Sequence, residues 1–200
     1  MSRQSEESTH SVTQAGVEPE YNPQERALLL QMARESILSS LEHREMSVFT
    51  PSAHLSEPRG VFTTLYSRKQ LRGCVGFPAA MLPLHRAVVE TSRAAASEDP
   101  RFYPVRLEEV QDLKISLSIL SHLRPIVPDQ IEIGRHGLVI SHGARRGLLL
   151  PQVPVEHGWD RQVFLEQTCM KAGLPPDIWQ KGARIEAFTA ESFSDEDRHI

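Results

Sequence analysis

Cysteine is scarce in this 200-residue chain: only Cys74 and Cys169 are present. Two cysteines so far apart do not make the disulfide framework of a small secreted domain, and both are expected as free thiols. Long hydrophobic runs are missing too. Blocks such as Ala27 to Leu30 and Leu148 to Leu150 fall far short of a membrane span. The first twenty residues are polar and acidic, with no basic start followed by an apolar stretch, so no secretory signal is read there. Together these absences point to the cytoplasm and to no membrane partner. Strong net charge is absent as well. The total is −4, with −3 in residues 1–20, −3 in residues 191–200 and +2 between them. A nucleic-acid binder would need a strongly basic face. Local charge at Arg68, Lys69, Arg72, Arg145 and Arg146 therefore leaves nucleic acid a poor partner.

Familiar motifs are also lacking. There is no Walker A loop, no Gly-x-Gly-x-x-Gly after a strand and no Gly-x-Ser-x-Gly elbow. His43-Arg44-Glu45 has the first half of a zinc deaminase signature, but no Cys-x-x-Cys follows it. Gly134-Arg135-His136-Gly137 has the form of a KH loop but leads into a strand, so it reads as a turn. Histidines and carboxylates do not cluster at metal-ligand spacing, and neither a metal nor a cofactor is expected.

What is present suits a soluble α+β protein. A chain of this mass buries roughly 70% of its unfolded surface, enough for a substantial core. Asn22-Pro23, with Glu25 in the first turn, opens a helix to about His43. Gly60 to Tyr66 and Gln70 to Phe77 read as an antiparallel hairpin. A second helix follows Pro83 and ends near Asp99-Pro100, with Leu84, Ala87, Val88, Thr91 and Ala95 on one face. Arg106 to Val110 forms a helical turn. Lys114 to Leu120 alternates, with Ile115, Leu117 and Ile119 inward. Gly137 to Ser141 and Arg146 to Leu150 make a hairpin around Gly143. Trp159 to Ala172 is helical, with Val163, Leu165, Glu166 and Met170 on its apolar face and Gly173 as its cap. Arg184 to Thr189 is the last strand. Residues 1–20 and 191–200 are expected as disordered acidic tails around one domain over residues 21–190.

The most unusual string is Leu71-Arg72-Gly73-Cys74-Val75-Gly76. Glycines on both sides of a cysteine let a substrate or another backbone approach closely. A neighbouring cation favours the nucleophilic thiolate. On this reading Cys74 is an activated thiol, Arg72 binds an anionic group, and Gly73 and Gly76 admit the substrate. The other reading is a small buried hydrophobe. No general base adjoins Cys74 in sequence; Glu156 or a histidine such as His136 or His157 would have to come from elsewhere. Arg101, in Asp99-Pro100-Arg101-Phe102, would orient a carboxylate or phosphate, or close a structural corner. Gln152 and Glu156, bracketed by apolar residues, need buried partners or a cavity, for which Trp159 is a candidate wall.

These strings in this order resemble the AMMECR domain family. The resemblance spans about Asn22 to Phe193 and rests on Gly60 to Leu65, Leu71 to Gly76, Asp99 to Phe102, Lys114 to Leu120, Gly147 to Val153, Gly158-Trp159-Asp160 and Thr168 to Leu174. Valine stands at position 75 where isoleucine is common. The resemblance implies two lobes, with antiparallel sheets packed by helices and a groove between them. Prokaryotic members look like one part of a three-part AmmeMemoRadiSam system, with a Memo-like protein and a radical SAM protein as partners. It also raises Cys74, Arg72, Gly73 and Gly76 as site residues without supplying a reaction. Two functions are therefore carried forward. One is a binding or accessory component acting through a groove at the Leu71–Gly76 segment. The other is a thiol-dependent enzyme acting on a small anionic substrate or modified peptide.

Overall fold

The helix expected after Asn22 starts there. In the computed structural model of the protein, which describes residues 19–195, α1 spans Pro23–Leu41. The Asn22 side chain accepts the Glu25 N–H at 2.9 Å, and the Glu25 carboxylate accepts the Asn22 N–H at 3.3 Å. Two amides that have no partner inside the helix are thus satisfied reciprocally. The remaining helices are α2 (Leu84–Ser97), α3 (Gln152–Glu156) and α4 (Arg161–Lys171). The strands are β1 (Val61–Ser67), β2 (Gln70–Phe77), β3 (Leu113–Leu120), β4 (Arg124–Pro125), β5 (Gly137–His142), β6 (Arg145–Leu149), β7 (Arg184–Phe188) and β8 (Ala190–Ser194).

They form two antiparallel sheets, ordered β2-β1-β3-β8 and β4-β7-β5-β6. The class is α+β, as the sequence implies. One face of the first sheet buries Val61, Leu65, Ile115 and Leu117 against Leu29, Ile37, Leu84 and Val88 of α1 and α2. A buried hydroxyl pair adds direction to this contact: Thr63 and Thr91 lie 2.8 Å apart, and the Thr91 hydroxyl donates to the Ala87 carbonyl. The second sheet packs Leu138, Ile140 and Ala187 on Phe164, Leu165 and Cys169 of α4. A smaller cluster of Leu120, Val139 and Phe188, with Phe62 and Leu148 against it, joins the two sheets.

Register in the β1–β2 hairpin decides where the site lies. The turn residues Arg68 and Lys69 both have positive φ, at 50° and 64°, the two-residue hairpin pattern that matches strand twist. Ser67 pairs with Gln70 and Tyr66 with Leu71, but Leu65 pairs with Gly73. Arg72 is therefore an extra residue, a β-bulge. Were Arg72 paired in the ladder, Cys74 would sit opposite Thr63 on the helix-covered face. With Arg72 bulged out, Cys74 sits opposite Thr64 on the other face.

Three expectations need correction. Helix α4 starts at Arg161, after Asp160 caps it by accepting the Val163 N–H at 2.9 Å. Its buried face is Phe164, Leu165, Thr168 and Cys169, whereas Met170 is 46% exposed. The slip arose from counting Met170 into the apolar stripe and leaving out the polar Thr168, whose hydroxyl is satisfied by the Phe164 carbonyl. Second, Gln152 and Glu156 lie on the short helix α3 and are exposed, so neither needs a buried partner. Third, residues 191–194 are not a tail. They lie in β8 along β3, with Phe193 4% exposed in the core and Glu191 paired to Arg26 at 2.8 Å. Their serines and acids hid a strand whose single inward apolar residue is Phe193. Residues 1–18 and 196–200 of the expected tails lie outside the described residues.

Phe193→Ala should lower unfolding free energy by about 3–5 kcal/mol in urea titration, the cost of emptying an aromatic site in a core. A loss below about 0.5 kcal/mol, the value for an exposed residue, would return this segment to a tail.

Candidate functional site

On β1, Val61, Thr63 and Leu65 turn toward the helices, which leaves Phe62, Thr64 and Tyr66 on the opposite face. Ser116 and Ser118 of β3 share that face, and the Ser118 hydroxyl lies 2.8 Å from that of Ser192 on β8. Cys74 joins this polar surface through the bulge. It is half-buried, and its sulfur accepts the Thr64 hydroxyl at 3.4 Å.

β2 is an edge strand, so the outward N–H and C=O of Cys74 need partners. They come from the corner that ends α2. The Asp99 carboxylate accepts the Cys74 N–H at 2.8 Å, and the Arg101 guanidinium reaches the Cys74 carbonyl at 3.4 Å. Arg101 also grips Asp99 with two bonds, of 3.0 and 2.7 Å. The Arg101 bonds hold the Asp99 carboxyl well below the usual carboxylate range; burial opposes this, and the Cys74 and Arg101 amides assist. The Asp99 side chain is buried while that of Arg101 is 55% exposed. The guanidinium is pushed up mainly by Asp99, with a contribution from the adjacent Cys74 sulfur. Burial pushes the Tyr66 phenol up, and electrostatic interaction with Cys74 and Glu156 adds to the shift. Tyr66 thus feels Cys74 from its own sheet and Glu156 from α3.

The structure brings Cys74 and Arg101 together and adds Thr64, Tyr66 and Asp99; Glu156 enters only through the charge that Tyr66 feels. It separates the other expected site residues. Arg72 does not polarise the sulfur. Its guanidinium bonds both oxygens of Glu109, at 3.0 and 3.1 Å, and donates to the Tyr103 carbonyl at 2.8 Å. A bulged residue points away from its neighbours' alternation, and here it reaches the 3-10 turn at Leu107–Asp112. Gly73 does not admit a substrate either. A methyl group there would overlap the Ala95 carbonyl at the end of α2, so the glycine permits close packing of strand on helix. Gly76 gives room to the Phe62 ring, which occupies the space of its missing side chain. Trp159 packs on the second core and stacks on His157 at 4.7 Å. Gln152 is exposed at the start of α3. Among the described residues no histidine bonds to the Cys74 sulfur, and no group of three or more His, Cys, Asp or Glu is placed to hold a metal ion.

Sequence reasoning missed Thr64 and Tyr66. Alternation along Val61–Ser67 puts them on one face, but only the bulge puts Cys74 there with them.

Two antiparallel sheets, each backed by helices, with an open polar face around a half-buried cysteine, define an α+β protein of a particular kind. The AMMECR1 family model matches residues 30–193, and the chain belongs to the AMMECR1 family. It is 44% identical over 186 residues to Protein MK0488 of Methanopyrus kandleri, covering 87% of this chain and 90% of that one. A protein of Aquifex aeolicus is 41% identical over 181 residues, covering 84% and 92%. The crystal structure of uncharacterized protein PH0010 from Pyrococcus horikoshii superposes with a TM-score of 0.74 at 40% identity, covering 86% of this chain and 92% of that one. Among the described residues no helix is long and apolar enough to cross a membrane.

Because Asp99 has a depressed folded pKa, its stabilising effect is complete above the unfolded value of about 3.9. It is lost as pH falls toward the folded value. Asp99→Asn should therefore cost on the order of 2 kcal/mol at pH 7. The gap to the parent protein should shrink as pH drops below about 4. A gap that stays constant from pH 7 to the acid limit of folding would contradict this electrostatic role.

Proposed function

We propose that the protein is a binding or accessory component, and that its recognition surface is the open face of the first sheet around Cys74, Arg101 and Tyr66. The observation that carries this reading is the exposed Arg101 guanidinium, held by Asp99 beside the half-buried Cys74, whose sulfur has no imidazole bonded to it among the described residues. A fixed guanidinium is suited to a carboxylate or phosphate on a partner or its bound substrate. The family resemblance points to a Memo-like protein and a radical SAM protein as partners. A cytoplasmic setting accords with two free cysteines.

The alternative is thiol chemistry at Cys74, and the Arg101 position beside the sulfur is what favours it. Glu156 would then have to move protons, because no histidine bonds to the Cys74 sulfur among the described residues and Arg101 holds the adjacent Asp99 in its ionised form. That alternative requires Cys74 to react with iodoacetamide near neutral pH far faster than Cys169, which is fully buried and whose thiol burial pushes up. Two thiols that label equally slowly would remove it.

Co-purification with the Memo-like or radical SAM protein of the same cell separates the two readings. Cys74→Ser should leave capture intact, and Arg101→Gln should reduce it about tenfold, the loss of one charge-assisted contact. Arg72 is the wrong probe because its loss would disturb the bulge. Absence of capture by the parent protein would overturn the binding reading. Loss with Cys74→Ser but not with Arg101→Gln would favour the thiol.

A further inference from the structure

A second site lies where the two sheets meet. Alternation puts Arg146 and Leu148 on the face of β6 opposite the one packed on α4. The close approach of Gly147 to the Ala172 backbone brings the end of α4, with Lys171, to the same place. Phe62 faces them from β1. These residues and Val153 border a cavity of about 550 Å³. A smaller cavity of about 300 Å³ is lined by Arg59, Leu120 and His122. Arg146, Pro78 and Ala79 line both.

The charge of this cleft is one-sided. No aspartate or glutamate lines either cavity. Elsewhere Arg26, Arg34, Arg44, Arg72 and Arg101 each pair with a carboxylate. Arg146 and Lys171 have no ion pair or side-chain hydrogen bond among the described residues. Arg59, in the smaller cavity, is paired with Glu20 at 2.7 Å and Glu57 at 3.0 Å, and only its buried Nε has no hydrogen-bond partner. An apolar chamber flanked by two unpaired cations, Arg146 and Lys171, suits a ligand of complementary build.

We propose that this cleft binds an amphipathic anion: an apolar body among Phe62, Leu148, Leu150 and Val153, and one carboxylate or phosphate head at Arg146. Its volume falls within the range of small-molecule sites, roughly 300–1,000 Å³. The head meets Arg146 at the junction of the two cavities, with Lys171 as the second cation. This site shares Phe62 with the Cys74 face but does not depend on whichever function that face performs.

Isothermal titration of the full chain with hexanoate, octanoate, decanoate, 1-octanol, octyl phosphate and inorganic phosphate tests it. Affinity should rise about fourfold per added methylene, the equivalent of about 0.8 kcal/mol. Octanoate should exceed 1-octanol by about tenfold. Arg146→Gln should abolish that advantage, while Arg86→Gln on the exposed face of α2 should leave it unchanged. Val153→Trp, which fills the cavity, should weaken every chain, and it serves as the test if Arg146→Gln fails to fold. Comparing octyl phosphate with octanoate assigns the head group, and binding by either supports the site. No saturable binding at millimolar concentration, equal binding of all chain lengths, inorganic phosphate binding as tightly as octyl phosphate, or an unchanged octanoate preference in Arg146→Gln would overturn it.

Discussion

One extra residue in an edge strand governs the geometry around Cys74. Side chains alternate faces along a strand, so bulging Arg72 out of the ladder puts every later residue of β2 on the face opposite the one that unbroken alternation through Arg72 would give it. Val75 and Phe77 thereby join the helix-covered core, and Cys74 joins the open face with Thr64. The bulge is held rather than merely allowed. Arg72 is fastened to Glu109 and to the carbonyls of Tyr103 and Pro104. Gly73, freed of a side chain, lets the strand press on the last turn of α2. From that turn the chain continues directly into Asp99 and Arg101, which cap the Cys74 backbone. The tight strand–helix contact and the clamp on the site are consecutive parts of one path.

The two sheets divide their tasks by face. Each has a helix-covered face that carries most of the stability and a second face that is only partly closed. On the first sheet that second face is polar and bears the Cys74 surface. On the second it is apolar, seals against Leu120 and Phe62, and leaves the cleft at Arg146. Phe62 belongs to both regions, because it lies on the Cys74 face and also walls the cleft. Gly76 makes this possible by leaving its ring a flat seat on β2.

Much of the fold was legible in the sequence because hydrophobic period and turn chemistry agree there. Asn22-Pro23-x-Glu25 specifies a helix start, Lys114–Leu120 alternates without a break, and Gly143 sits at the tip of its hairpin with φ of 60°. β8 was not legible, since a strand with one inward apolar residue has no period to detect. The site was legible in part. Cys74 and Arg101 stand out by residue type, and Asp99-Pro100-Arg101 reads as a corner. The roles of Arg72, Gly73 and Gly76 were misread for one reason. In the sequence a glycine beside a cysteine looks like space for a ligand, whereas here Ala95 and Phe62 take that space. A bulge leaves no mark on residue identity, so the face on which Cys74 lies is knowable only from register.

That register is open to direct observation. The outward-pointing amide and carbonyl of Cys74 make Thr64–Cys74 a non-hydrogen-bonded pair, in which the two Cα atoms come within about 4.5 Å and their hydrogens closer still. A cross-strand Hα–Hα nuclear Overhauser contact between Thr64 and Cys74, in the protein in solution, is the predicted result. A contact from Cys74 to Thr63 instead would mean that Arg72 is not bulged, that the sulfur faces the helices, and that the surface assembled around it does not exist.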